Sequence, residues 1–125
     1  MGRKGFKDLV VWQKAKDLAI VIYKTSEGGD FGRDFGLRDQ VRRSIVSVAS
    51  NLAEGDERDT DKESVRFFFI AKGSLAELRT QLQIAHEIGY LEKQVYESIE
   101  AKCEKLGKMI GGLIRARQRA MGKRL

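Results

Sequence analysis

Apolar residues recur along this chain at steps of three and four, and four stretches keep that step long enough to be helices. In the first, Val11, Ala15, Leu18 and Ile22 share one face, with Trp12, Ala19 and Tyr23 beside it, which predicts a helix over about 7–26. In the second, Leu37, Val41, Ile45, Val48 and Leu52 predict a helix over about 37–54. Val65, Phe68, Ala71, Leu75, Leu78, Leu82 and Ala85 set a third over about 60–88. Val95, Ile99, Cys103, Leu106, Ile110 and Leu113 set a fourth over about 92–119.

The punctuation between these stretches agrees with them. The segment EGGDFGRDF is expected to be a loop, because Gly28, Gly29 and Gly32 free its backbone. Thr60-Asp-Lys-Glu63 is a capping box: the Thr60 hydroxyl can accept from the Glu63 N–H and open the third helix. Gly89 suits the position just past that helix's end. The run Arg66-Phe-Phe-Phe-Ile70 has strand-like composition, but the cap before it and the helical period through it decide for helix. The chain has no proline, so no ring interrupts a long helix. Short connections between long amphipathic helices make neighbours antiparallel. The expected fold is all-α: an antiparallel up-down-up-down four-helix bundle, one domain over residues 1–125, with a basic tail at 115–125.

Beside its apolar face the second helix carries Gln40, Ser44, Ser47, Asn51 and Glu54 at steps of three and four. A stripe of small polar residues, where a surface helix would carry Lys and Glu, is expected to face protein and to need hydrogen-bond partners there. The third helix offers Ser74, Glu77 and Gln81 as a matching stripe. Arg42, Arg43, Ser44, Ser47, Asn51, Glu54, Ser74 and Glu77 therefore form a candidate structural polar network. Ser74 is expected to meet Ser47 or Asn51. Glu77 is expected to be half-buried and paired with Arg43 or Arg42.

Charge adds a functional hint that the periodicity lacks. The net charge is +6. Residues 101–125 hold eight basic side chains and one acid, Glu104, while the remaining hundred hold 16 basic and 17 acidic ones. The whole excess sits at one end, which suits a polyanion. Lys108, Arg115, Arg117, Arg119, Lys123 and Arg124 are the candidate phosphate contacts, in a mode that is salt-dependent and poor at distinguishing bases.

Chemistry-bearing residues are sparse. His86 is the only histidine, and HEIGY lacks the second histidine of a zinc-binding HExxH helix. Cys103, the one cysteine, falls on an apolar stripe and is expected to fill core rather than attack substrate. The six phenylalanines sit mostly at core spacing and do not interleave with basic residues as a base-stacking platform would. No catalytic residues, metal or cofactor are assigned, and the expectation is a protein that is not an enzyme. Gly107, Gly111 and Gly112 on the fourth helix, and Gly73 on the third, each cost a helix about 1 kcal/mol relative to Ala. They hint at close backbone approach. One cysteine, no run of ~18 apolar residues and no secretion signal at the start imply a cytoplasmic protein that does not span a membrane.

Three segments carry a family resemblance: FKDLVVWQKAKDLAIVIYKTS, FGLRDQVRRSIVSVASNLAEG and RFFFIAKGSLAELRTQLQIAHEIGYL. Together they resemble the small four-helix-bundle proteins encoded in intervening sequences of bacterial 23S rRNA genes. The likeness covers roughly residues 6–91, with R-R-S…S-N-x-A-E-G and A-x-G-S-x-x-E as its specific elements. Arg42, Arg43, Ser44, Asn51, Glu54, Gly55, Gly73, Ser74 and Glu77 match motif positions. The resemblance implies a bundle that assembles into a homo-oligomeric ring, usually a homopentamer. It also implies kinship with the accessory variability protein of diversity-generating retroelements, which binds a reverse transcriptase and nucleic acid. One departure is visible: the loop before the second helix usually carries proline, and EGGDFGRDFGL has none. The expected function is non-enzymatic, oligomeric nucleic-acid binding through the basic surface. The alternative is a protein–protein scaffold or accessory subunit, for example of a reverse transcriptase.

Overall fold

In the computed structural model, residues 5–124 are described, and among them only helices and turns occur. A 3-10 turn, Phe6–Asp8, precedes five α-helices: α1 (Val10–Thr25), α2 (Gly29–Arg33), α3 (Phe35–Asp56), α4 (Asp61–Glu87) and α5 (Lys93–Arg124). The four long helices close a ring of contacts: α3 packs on α4, α4 on α5, and α1 on both α3 and α5. Contacts across the seams run in opposite senses. Ser44 meets Gln81 while Ser47 meets Ser74, and Arg79 meets Glu100 while Arg117 meets Asp61. The bundle is antiparallel and all-α, as the periodicity predicts.

The predicted core faces are the buried ones in α1 and α4, and in α3 from Val41 onward. Leu37 is only partly buried. Phe68 has no exposed surface; burying a side chain of this size contributes roughly 2–3 kcal/mol. In α5 the inward row is Ile99, Cys103, Leu106, Ile110 and Ile114. Ile114 replaces Leu113, which is partly buried, and Val95 is exposed. The shorter α1 explains Val95. Leu18 shares a depression with Leu106, and Val11 with Leu113, so α1 ends near the level of Ile99 and leaves the turn before it uncovered.

Boundaries follow local chemistry. The first helix begins at Val10 rather than residue 7, because Leu9 takes an extended conformation (φ −75°, ψ 116°) and separates the 3-10 turn. That turn folds back: Gln13 Nε2 donates to the Lys7 carbonyl at 2.7 Å, and the Phe6 and Trp12 rings meet edge to face at 5.1 Å. The expected glycine loop contains α2, which buries Phe31 against Tyr90, with ring centroids 5.6 Å apart. Asp34 caps α3 by accepting from the Leu37 N–H at 3.1 Å, and its other oxygen accepts from the Tyr90 hydroxyl at 2.9 Å. The bond to Asp34 raises the Tyr90 phenol above its ordinary pKa. Thr60 caps α4 through the Glu63 N–H, as the capping box predicts. Gly89 (φ 89°) ends α4 in a Schellman motif, in which Tyr90 N–H reaches the Ala85 carbonyl at 2.8 Å. α5 runs five residues beyond its expected end, to Arg124.

Candidate nucleic-acid interface

The small polar stripe of α3 does face protein. Ser44 Oγ donates to Gln81 Oε1 at 2.9 Å, the Ser47 and Ser74 hydroxyls meet at 2.8 Å, and Asn51 donates to the Ser47 carbonyl and hydroxyl. Gln81 also donates to Gln40. This ladder fixes the register of α3 on α4 with short side chains that lose little freedom. At its lower end the Phe68 ring lies against α3: a Cβ on Gly55 would lie 2.5 Å from it, so only glycine fits.

Four expected members of the network lie outside this ladder. Arg42 turns to α1, donating to Ser26 Oγ (2.9 Å) and to the Tyr23 carbonyl (3.1 Å) and lying 4.7 Å over the Tyr23 ring. It thereby satisfies the negative C-terminal end of α1. Glu54 pairs with Arg58 within its own helix end. Arg43 and Glu77 line one shallow depression, but both are exposed and no ion pair joins them. The expected register-setting pair is therefore absent: water solvates the Glu77 carboxylate, which needs no buried partner.

The basic candidates divide by their angle on α5. Lys108, Arg115, Arg119 and Lys123 follow steps of seven, four and four, which sets them on one outward stripe about 22 Å long. All four are exposed. Lys108 faces Glu104 across 3.6 Å in a solvated pair, while Arg115, Arg119 and Lys123 have no carboxylate partner among the described residues. The positive charge lies in the C-terminal half of α5, where it also complements the helix dipole.

Arg117 does not belong to this group. It points inward, nearly opposite the stripe, and reaches Asp61 at 3.1 Å and Asp56 at 3.6 Å. Its side chain is 26% exposed, against 6% and 3% for the two aspartates. Charges this far from water require each other, so Arg117 fastens α5 to the α3–α4 turn and is withdrawn from any phosphate. The Arg124 side chain lies outside the described residues.

The same surface includes side chains that charge counting along α5 misses. An open groove of ≈ 390 Å³ between α4 and α5 is lined by Lys72 and Arg79 from α4 and by Lys108 and Arg115 from α5. Arg79 is bound by Glu100 (2.9 Å from Nε), and that bond raises its pKa further. The seven-residue spacing of Lys72 and Arg79, with Ala76 between, was the available sequence signal.

Elsewhere the candidate reactive groups are engaged or shielded. Burial pushes the Cys103 thiol up to about 12, so it stays protonated and unreactive. His86 Nδ1 lies 3.0 Å from the Leu91 carbonyl, and its ring stacks on Tyr96 with centroids 4.5 Å apart. No group of three or more His, Cys, Asp or Glu poised for a metal occurs among the described residues. Nor is any helix among them long and apolar enough to cross a membrane. Two of the six phenylalanines, Phe35 and Phe69, stand exposed instead of filling core.

The sequence profile of the 23S rRNA-intervening sequence protein family matches residues 7–112. A crystal structure of a protein of unknown function from the S23 ribosomal protein family of Bacteroides thetaiotaomicron VPI-5482 is similar, at 22% identity and a TM-score of 0.77. The match covers 83% of this chain and 97% of that one. At that identity the likeness speaks for the bundle alone. No curated relative matches. The chain belongs to the 23S rRNA-intervening sequence protein family.

Proposed function

We propose that this member of the 23S rRNA-intervening sequence protein family is a non-enzymatic, oligomeric, cytoplasmic protein that binds the phosphate backbone of RNA or DNA. The observation that carries this reading is the outward stripe of α5, where Arg115, Arg119 and Lys123 are exposed and have no carboxylate partner among the described residues. Long flexible cations on a convex helix suit a polyanion better than a small anion, which would need a concave site. Base edges are not read by such a surface, so binding tolerates sequence.

Self-association is supported by α4. Ile70, Gly73, Glu77, Thr80, Ile84 and Ile88 succeed one another along its outer face at helical steps, and the three isoleucines are exposed. Three exposed isoleucines on one face suit burial against another copy. A ring, as the family resemblance implies, would present several α5 stripes to one polymer and multiply weak contacts by avidity. A second reading is a protein-interaction scaffold, in which the basic end of α5 docks an acidic partner protein, or a polymerase brings the nucleic acid. A partner complex that survives nuclease treatment would favour that alternative.

The test is the triple variant Arg115→Gln, Arg119→Gln, Lys123→Gln in a mobility-shift assay with RNA and DNA at two salt concentrations. Losing three phosphate contacts should lower the salt slope by roughly 2–3. Arg117→Gln should leave that slope unchanged. Equal binding by wild type and the triple variant would overturn the proposal. Light scattering on the same samples reports subunit number, and a monomer would remove the oligomeric part.

A further inference from the structure

Gly107 and Gly111 sit one turn apart on α5, and Ala76 faces the same groove from α4. Packing does not require them to be small. A Cβ on Gly107 would meet Leu75 Cδ2 at 3.5 Å, an ordinary contact, and one on Gly111 would meet the Arg115 guanidinium at 3.2 Å, the movable end of a side chain. Neither backbone has a positive φ. The glycines weaken α5 as a helix and give the bundle no closer approach in return. What they leave is a trough floored by the α5 backbone.

The rim of that trough is cationic. Lys72, Arg79, Lys108 and Arg115 line it, against one acid, Glu104. Glu100 holds Arg79 and Glu104 faces Lys108, so Lys72 and Arg115 are the rim cations without a carboxylate partner among the described residues. Phe69 stands 48% exposed, one turn before Lys72 and two turns before Ala76, on the same side of α4.

We propose that this groove seats a single strand of nucleic acid, its phosphates between Lys72 and Arg115 over the glycine floor and one base stacked on Phe69. The proposal rests on the reading of the α5 stripe as a nucleic-acid surface, and adds to it a strandedness and a contribution from α4. A duplex is too wide to enter a trough between two helices packed about 8–10 Å apart and is confined to the outer stripe. A single strand fits, and its unpaired bases are free to turn onto an aromatic ring.

Fluorescence anisotropy with a short single-stranded RNA, and with the same RNA annealed to its complement, tests this. Gly107→Met with Gly111→Met fills the trough at constant charge, and should weaken single-strand binding roughly 10-fold while leaving the duplex within about twofold. Phe69→Ala should cost the single strand about fivefold or more, and Lys72→Gln should weaken it selectively. Arg119→Gln, outside the groove, should weaken both forms alike. If Arg119→Gln weakens binding and the groove variants do not, the groove falls and the stripe stands. If wild type binds neither form, both fall. Preference for oligoglutamate over RNA would assign the groove to an acidic protein, and loss of assembly on filling would make it a subunit contact; each overturns the proposal. Should the double variant fail to fold by circular dichroism, unchanged single-strand affinity in both Phe69→Ala and Lys72→Gln overturns it.

Discussion

The two long seams that α4 makes, with α3 on one side and α5 on the other, treat small and charged residues in opposite ways. On the α3 side small residues are demanded by packing: Gly55 admits the Phe68 ring, and serines bond across the interface. On the α5 side packing does not demand them: a Cβ on Gly107 would make an ordinary contact with Leu75, one on Gly111 would meet only the movable end of Arg115, and cations gather along the rim. A glycine or a serine on a helix therefore says little alone. What it means depends on whether a neighbour occupies the volume it leaves.

The largest expected effect breaks the exception to this contrast, the one stripe-region arginine that is structural. Arg117→Ala removes one guanidinium from the buried Asp56 and Asp61 and should destabilise the fold by about 3 kcal/mol. Thermal or denaturant melting measures this; Arg119→Ala, exposed, should change stability by no more than about 0.5 kcal/mol. Next comes Gly55→Val, which forces atoms into Phe68 and should cost about 2–3 kcal/mol by overpacking. An unchanged melt would mean that α3 and α4 can separate without penalty. The serine pair is smaller. Ser47→Ala or Ser74→Ala alone should cost about 1 kcal/mol, and the double variant less than the sum; strict additivity would show that the hydroxyls do not couple.

On the open seam the sign reverses. Gly111→Ala should raise stability by roughly 0.5–1 kcal/mol, because Arg115 can move aside and the helix gains propensity. A loss would indicate that the α5 backbone there is held close to something. Glu77→Ala, at the exposed edge of the closed seam, should shift stability by less than about 0.5 kcal/mol. A marked fall would restore the ion pair with Arg43 that the sequence suggests.

Much of this architecture was legible in the residue order. The apolar steps placed α1, α3, α4 and α5, the capping box at Thr60 opened α4, and the Gln/Ser/Asn row located the α3–α4 seam. Each is a local pattern whose meaning is set within a few turns. The family resemblance to 23S rRNA-intervening sequence proteins, visible in three segments, pointed to the same bundle. What the order hid was the pairing across helices. Arg42 and Arg43 are adjacent in sequence, yet one caps α1 and the other faces water, because one step rotates a side chain by about 100°. Arg117 meets Asp61 across 56 positions, and only the axial offset of two packed helices decides that. The placing of Lys72 and Phe69 beside α5 is hidden because a groove belongs to two helices and neither sequence segment shows it.

Asp34 has a consequence for the way the molecule breathes. One of its carboxylate oxygens closes the first turn of α3 and the other holds Tyr90 in the α4–α5 connection. Fraying of the first turn of α3 takes the acceptor from the Tyr90 hydroxyl, and fraying around Tyr90 takes from Asp34 a donor that holds it in place, so these two distant stretches should open together rather than one at a time. Amide exchange at Leu37 would then keep time with exchange around Tyr90, and a single carboxylate would act as the latch for that whole end of the bundle.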